Sequence, residues 1–476
     1  MHRALRPLAA ALALGLLGDQ LFRTPLWGLN LALWLVSLCG ASLALAWAAP
    51  EAERPGRPVW PYLAAAFLAS MWAVRDAPLL IAVDLLAALS LLCLPFAEGV
   101  ALRAAGVLDI AAAHVRAGLA VVGGALGLVE AVSPPPAARS AAARRAVAVG
   151  GGLLLAVPLM LVFGGLFASA DPLFAAALSS LLDSGLQPLL SHSGLAGALA
   201  WISGGYLWVQ LRSRAVSPIE LPAPQAGTVP VLTALGATVL LFTLFVATQA
   251  GSLFGGEAFV QQQSGLTYAE YARQGFFELL FASALSLPLV YVAPFVAGAG
   301  TDRETGSLRA LLTVQLGLTA LVLASALWRM GLYVRVYGLT EDRLYGAFVM
   351  LWIGATIGVF APTVLRARPR GAAFGSMVCA VAALAVLNLA NPRAIIARYN
   401  LAHQDRREAD VEHLARLGAD ATPILVAHLH QIPADRRCWL TEKLVNRHGT
   451  QRGDWRGWNL ARSRAQNAVR ALPPDC

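Results

Sequence analysis

Long apolar runs, broken by short connections rich in arginine or proline, fill the first 390 residues. A helix that crosses a hydrocarbon core takes about 20 such residues. Runs that qualify lie near 4–22, 26–48, 59–74, 77–97, 147–169, 194–211, 229–250, 274–298, 308–330, 344–365 and 372–390. They predict about eleven crossings. Segment 98–133 is ambiguous: Gly118 to Val132 is apolar, but Arg103, Asp109, His114 and Arg116 interrupt its first half. It would lie in the interface, re-enter, or add a pair of spans, for about 11–13 in all. The expected fold is all-α, a polytopic transmembrane helical bundle over 1–390 with a small C-terminal helical module over 391–476.

The module is marked by a change of pattern. From Asn391 onward 23 of 86 residues are charged, and the apolar positions recur at helical spacing. Glu408 to Leu417 reads as one short helix. Asp420 is placed to cap a second, with Pro423 in its first turn, and two more follow near 434–447 and 457–471. A soluble helical unit stacked like a solenoid repeat fits this segment.

Arginine placement sets direction. The group Arg139, Arg144 and Arg145, the pair Arg212 and Arg214, and the group Arg366, Arg368 and Arg370 fit one cytoplasmic side under a single alternation, and Arg3 and Arg6 join them if 98–133 contributes an even number of crossings. The loop 170–193, with Asp171 and Asp183 and no arginine or lysine, then lies outside. The C-terminus is expected in the periplasm of a bacterial inner-membrane protein. The head MHRALRPLAAALALGLLGDQLF resembles a signal peptide but lacks a small-x-small cleavage site, and reads as a retained span.

Composition agrees with the pattern: 58% hydrophobic, 13% charged, mean hydropathy +0.63. The net charge of +9 comes almost wholly from arginine, Lys443 being the only lysine. No basic run is interleaved with aromatics, so nucleic acid is not an expected partner. The lipid bilayer is. Cys438 and Cys476 are the two cysteines of the module, and a periplasmic module would permit them to pair.

Ionisable groups inside spans are costly and often mark function. Asp19, Asp84 and Glu278 are the candidate carboxylates, with Gln274 one turn before Glu278 on the same face. Each would serve a proton or cation path, or pair with an arginine or backbone group and specify packing. A second candidate group lies at the outer face: Glu270 and Arg273 in TYAEYARQGFFELL, with Arg335 and with Arg343 in YGLTEDRLYG. Pro158, Pro288, Pro294 and Pro362 interrupt spans. Gly123-x-x-x-Gly127 and Gly354-x-x-x-Gly358 permit close helix packing. No HExxH, GxSxG or P-loop pattern occurs. His428 and His430 would splay on a helix, so no metal or cofactor is expected.

LGDQLFRTPLWGLNLALW, FGGLFASADPLF, TYAEYARQGFFELL, YGLTEDRLYG, NPRAIIARYNL, ADVEHLARLGADATPIL and DWRGWNLARSRA together resemble a bacterial membrane family defined by domain of unknown function 4173, allied to 4153. The resemblance implies a polytopic inner-membrane protein with a C-terminal helical segment, and no established activity. Transport or ion conduction is the expected function. The alternative is an envelope sensing or assembly protein that binds a protein partner through its module. A lipid-linked transferase with Asp171 as its acid is a third option.

Overall fold

The architecture comes from a computed structural model, which describes residues 2–24, 27–48, 58–97, 102–104, 106–132, 163–182, 187–212, 227–254, 276–298, 300–365, 371–403, 410–449 and 453–472, with isolated positions between 145 and 160. The described residues are helical, with no strand among them. Nine of the described helices are long and apolar enough to cross a membrane. The chain is a multi-pass membrane protein.

Helices α1 (His2–Leu21), α2 (Leu29–Trp47), α3 (Trp60–Ser70), α4 (Pro78–Cys93), α5 (Val107–Val132), α6 (Pro172–Leu182) and α7 (Gln187–Arg212) occupy the first half. Run 59–74 is an 11-residue helix extended by one tight turn over Met71–Ala73. Run 147–169 lies mostly outside the described residues. Segment 98–133 supplies the 26-residue α5. Prolines open α3 and α4, where a missing N–H costs no helical hydrogen bond.

The chain divides into two compact units. The first comprises residues 1–101, 108–218 and 451–463. In it α1 and α7 run antiparallel: Asp19, near the end of α1, meets His192 near the start of α7, while Ala4 packs with Trp208 and Leu128 at the other end. Small residues also set the spacing between α7 and α5. A Cβ on Gly205 would lie 2.5 Å from the Ala120 carbonyl oxygen, and one on Gly124 would lie 2.6 Å from the Gly205 oxygen. The close approach therefore falls at Gly124, one residue beyond Gly123, which meets nothing within 4 Å.

The same unit contains the chain's return. Residues 453–463 hydrogen-bond to the helix ends beside Asp19. The Leu29 N–H donates to the Trp458 oxygen at 2.9 Å, and Arg456 Nη1 to the Gln20 oxygen at 2.7 Å. Asn459 Nδ2 donates to the carbonyls of Trp72 and Arg75 at 2.9 and 2.7 Å, and Arg462 Nη2 to that of Trp27 at 2.6 Å. Helix ends leave backbone groups without intrahelical partners, and these contacts satisfy several of them.

The second unit comprises residues 102–107, 219–450 and 464–476. Its membrane helices are α8 (Thr228–Phe254), α9 (Phe276–Ala297), α10 (Asp302–Tyr337), α11 (Glu341–Leu365) and α12 (Ala372–Ala390). α9 passes through Pro288 and Pro294 without a break in the assigned helix. α10 is opened by a capping box between Thr301 and Glu304. At 36 residues it is about 54 Å long, well beyond a hydrocarbon core. Phe276, Leu287, Leu316, Met350 and Ile353 are among the buried core of this bundle.

Short helices α13 (Pro392–Ala402), α14 (Val411–Arg416), α15 (Thr422–Ala427) and α16 (Ala434–His448) follow, then α17 (Leu460–Arg470). Asn391, at φ 55°, turns the chain out of α12 and caps α13 through the Ala394 N–H. Asp410 caps α14. Asp420 does not cap α15, which starts after Ala421 without a side-chain cap; Asp420 is buried, and its backbone oxygen accepts from Asn391 Nδ2. Ile396, Leu414, Leu425, Leu440 and Val469 share one core with Leu339, from the turn before α11. Asn400 clamps that turn, accepting from the Leu339 N–H at 2.9 Å and donating to its carbonyl at 2.8 Å.

Candidate functional site

In the first unit α1 ends with Asp19 and Arg23 on one face, one turn apart. Arg23 Nε donates to Asp19 Oδ1 at 3.0 Å, and Nη1 reaches Ser191 Oγ. Asp19 Oδ2 accepts from His192 Nδ1 at 2.6 Å. The carboxylate is buried while the imidazole is half-exposed. Arg23 supplies the charge that a buried carboxylate needs, and Asp19 fixes the histidine tautomer. With Nδ1 donating, Nε2 of the neutral ring is an acceptor.

Asp84 lies deeper. It is the seventh residue of α4, about 9 Å along the helix, and is fully buried. Further toward the end of α4, polar contacts continue. Ser90 Oγ bonds His114 Nε2 at 2.8 Å, Tyr206 Oη donates to the Leu92 carbonyl at 2.9 Å, and Gln210 Nε2 donates to Tyr62 Oη. Tyr206 and Gln210 are on α7, so the first unit carries carboxyl, imidazole, hydroxyl and amide groups at successive depths.

The remaining candidates are placed differently. Glu278 sits in the first turn of α9 and is exposed, beside exposed Phe277. Glu270, Arg273 and Gln274 lie outside the described residues. Arg335 is exposed, whereas Arg343 folds back onto the Gly338 carbonyl and covers the Tyr333 ring at 4.1 Å. Asp171 caps α6 through the Leu173 N–H. Cys438 is disulfide-bonded, and Cys476 lies outside the described residues.

A second charged contact ties α13 to the start of α11. Arg393 Nε donates to Glu341 Oε1 at 2.7 Å and Nη2 to Oε2 at 3.3 Å. Burial disfavours the guanidinium charge, but the Glu341 carboxylate outweighs it and raises the Arg393 pKa. In α16, burial and then neighbouring Arg447 bring His448 down to about 4.

A family model described as a domain of unknown function, DUF4153, matches residues 62–428. The chain belongs to this family. The sequence resemblance pointed to the allied family 4173; the match is to 4153. No curated protein and no solved structure matches the chain. The DUF4153 match includes Asp84 and the whole of α8 to α12, and leaves Asp19 and residues 453–463 outside it.

Three polar features of this DUF4153 member were not anticipated. His192 gave no local signal, because its partner is 173 residues away. Arg329, buried near the end of α10, donates to Gln249 of α8; an arginine at the edge of an apolar run was its signal. Ser286, Gln315 and Thr319 are neutral and pass unnoticed in a hydropathy pattern.

Proposed function

We propose that the protein moves protons or small cations across a bacterial inner membrane through its helical bundle, with Asp84 as the carboxyl group the ion meets. Full burial of Asp84 within α4 carries the proposal. On insertion scales an aspartate at the centre of a spanning helix costs ~2.5–3.5 kcal/mol, and such residues face partners or pathways. Asp19 with His192 at one end, and His114 and Tyr206 beyond Asp84, supply ionisable groups on either side of it.

A periplasmic tail is supported by α1. Arg3 and Arg6 lie at the start of α1, and Arg456 bonds the Gln20 carbonyl at its end. With the positive-inside rule, residues 453–463 then lie on the side opposite the N-terminus, whatever segment 98–133 does.

The test is proton and cation flux into liposomes that hold purified protein, with the wild type compared with Asp84→Asn. Flux is expected to fall at least about tenfold, as for removal of an essential relay group. Equal flux in both proteins removes Asp84 from the mechanism.

An envelope sensing or assembly role is supported by the fastening of the module through Arg393–Glu341 and Asn400–Leu339, which ties α13 to the start of α11. A protein bound to the module would act on a membrane helix through these contacts. Crosslinking from Arg343 and from α16 under native expression is expected to capture that partner; capture of none rejects the role.

A further inference from the structure

Ser286 and Thr319 meet where α9 and α10 cross the middle of the second unit. Ser286 is the eleventh of the 22 residues of α9, and Thr319 the eighteenth of the 36 of α10. Their hydroxyl oxygens are 2.9 Å apart. Each also has a carbonyl of its own helix in range: Ser286 Oγ bonds the Ser283 oxygen at 2.9 Å, and Thr319 Oγ1 the Gln315 oxygen at 2.8 Å. Three contacts therefore compete for two hydroxyl protons. When both protons go to the helix carbonyls, the two oxygens turn lone pairs toward each other, Thr319 Oγ1 also accepting from Gln315 Nε2 at 3.5 Å.

Further neutral oxygens lie nearby in sequence and depth. Ser283 Oγ, Gln315 Oε1 and Thr356 Oγ1 are buried and have no hydrogen-bond partner among the described residues. Ser283 and Gln315 lie within one turn of the central pair on their helices. Thr356 is two residues past Gly354 of α11, where an added Cβ would meet Leu323 of α10 at 3.5 Å, so it falls near the same depth. A buried polar atom without a partner costs roughly 1–3 kcal/mol. Several on adjoining helices point to a ligand that all of them share.

We propose that these oxygens form a mid-depth site for a dehydrated alkali cation of the sodium class. Hard monovalent cations take oxygen ligands, and hydroxyl and amide oxygens replace a hydration shell without a proton to remove. Ion sites in transporters commonly lie at this depth. The site deepens the transport proposal by naming the ion, and it rests on that proposal for its purpose but not for its existence. It uses none of the first unit's residues.

The experiment is equilibrium binding of radiolabelled sodium to the purified full-length protein in detergent, with choline chloride holding ionic strength constant. Saturable binding is expected in the wild type and in the control Gly40→Ala, where an added Cβ meets nothing within 4 Å. Ser286→Ala and Thr319→Val each remove one oxygen, and each is expected to weaken binding by about tenfold or more. Ser286→Ala keeps the helix and its packing, so it remains informative if Thr319→Val fails to fold. Absence of saturable sodium binding, as for a site holding only water, overturns the proposal, as does unchanged affinity in folded Ser286→Ala. Sodium binding without flux would reject the transport proposal and leave the site standing; flux without sodium binding would do the reverse.

Discussion

Asp19 and His192 are 173 residues apart in the chain and 2.6 Å apart in the fold, joined by a carboxylate–imidazole hydrogen bond at the end of α1. Arg23 completes the group from one turn beyond Asp19. Asp19→Asn removes the charge that both partners face and is expected to lower stability by about 1–3 kcal/mol. His192→Gln, at a half-exposed position, is expected to cost less than half as much. Thermal unfolding of both variants in detergent checks the order.

Asn400 uses both ends of its amide on the backbone of Leu339. Asn400→Ala leaves an N–H and a carbonyl in a buried turn without those partners, at about 1–3 kcal/mol each. Hydrogen exchange at Leu339 and across α13 is expected to accelerate, with the centre of α10 unchanged. Equal exchange in the variant and wild type would show that the clamp contributes nothing.

His448 makes stability depend on pH. Its folded value of about 4 lies below the ordinary 6.5. Between those values the unfolded chain takes up a proton that the folded chain excludes, so stability is complete above pH 6.5 and declines as pH falls toward 4. The decline attributable to this residue is roughly 3 kcal/mol at most. His448→Gln is expected to flatten that part of the curve of unfolding midpoint against pH.

Gly28 has no room for a side chain, since a Cβ would lie 2.5 Å from the Trp458 oxygen and 2.9 Å from the Gly457 oxygen. Gly28→Ala is expected to displace residues 453–463 and to expose the bonds after Arg456 and Arg462 to trypsin. Gly40→Ala, where nothing lies within 4 Å, serves as the control and is expected to resist cleavage as the wild type does.

Apolar runs make eight of the nine span-length helices legible, α5 falling in an ambiguous segment, and helical spacing reveals α14 to α17 but not α13, because these signals depend on residues a few positions away. α3 shows the limit of that signal, since run 59–74 divides into a helix and a tight turn, where the Trp72 and Arg75 carbonyls accept from Asn459. The carboxylates stand out by charge, so Asp19 and Asp84 are visible at once. Their partners are set by long-range packing, and His192 looks like any loop histidine. Glu278 shares the charge signal, but its exposure is decided by which face of α9 meets α10 and α11. Ser286 and Thr319 leave no trace in a hydropathy plot; only the crossing of their helices gives them meaning.

The hydrogen bonds from residues 453–463 to Gln20, Trp27, Trp72 and Arg75 also order biogenesis. α1 to α4 leave the ribosome and enter the membrane long before Asn459 and Arg462 are translated. Until then those carbonyls at the helix ends are solvated, and the N-terminal bundle is unfinished. A chain stopped short of Arg456 would present frayed helix ends to membrane proteases, so completion of this unit waits until translation has reached the start of α17.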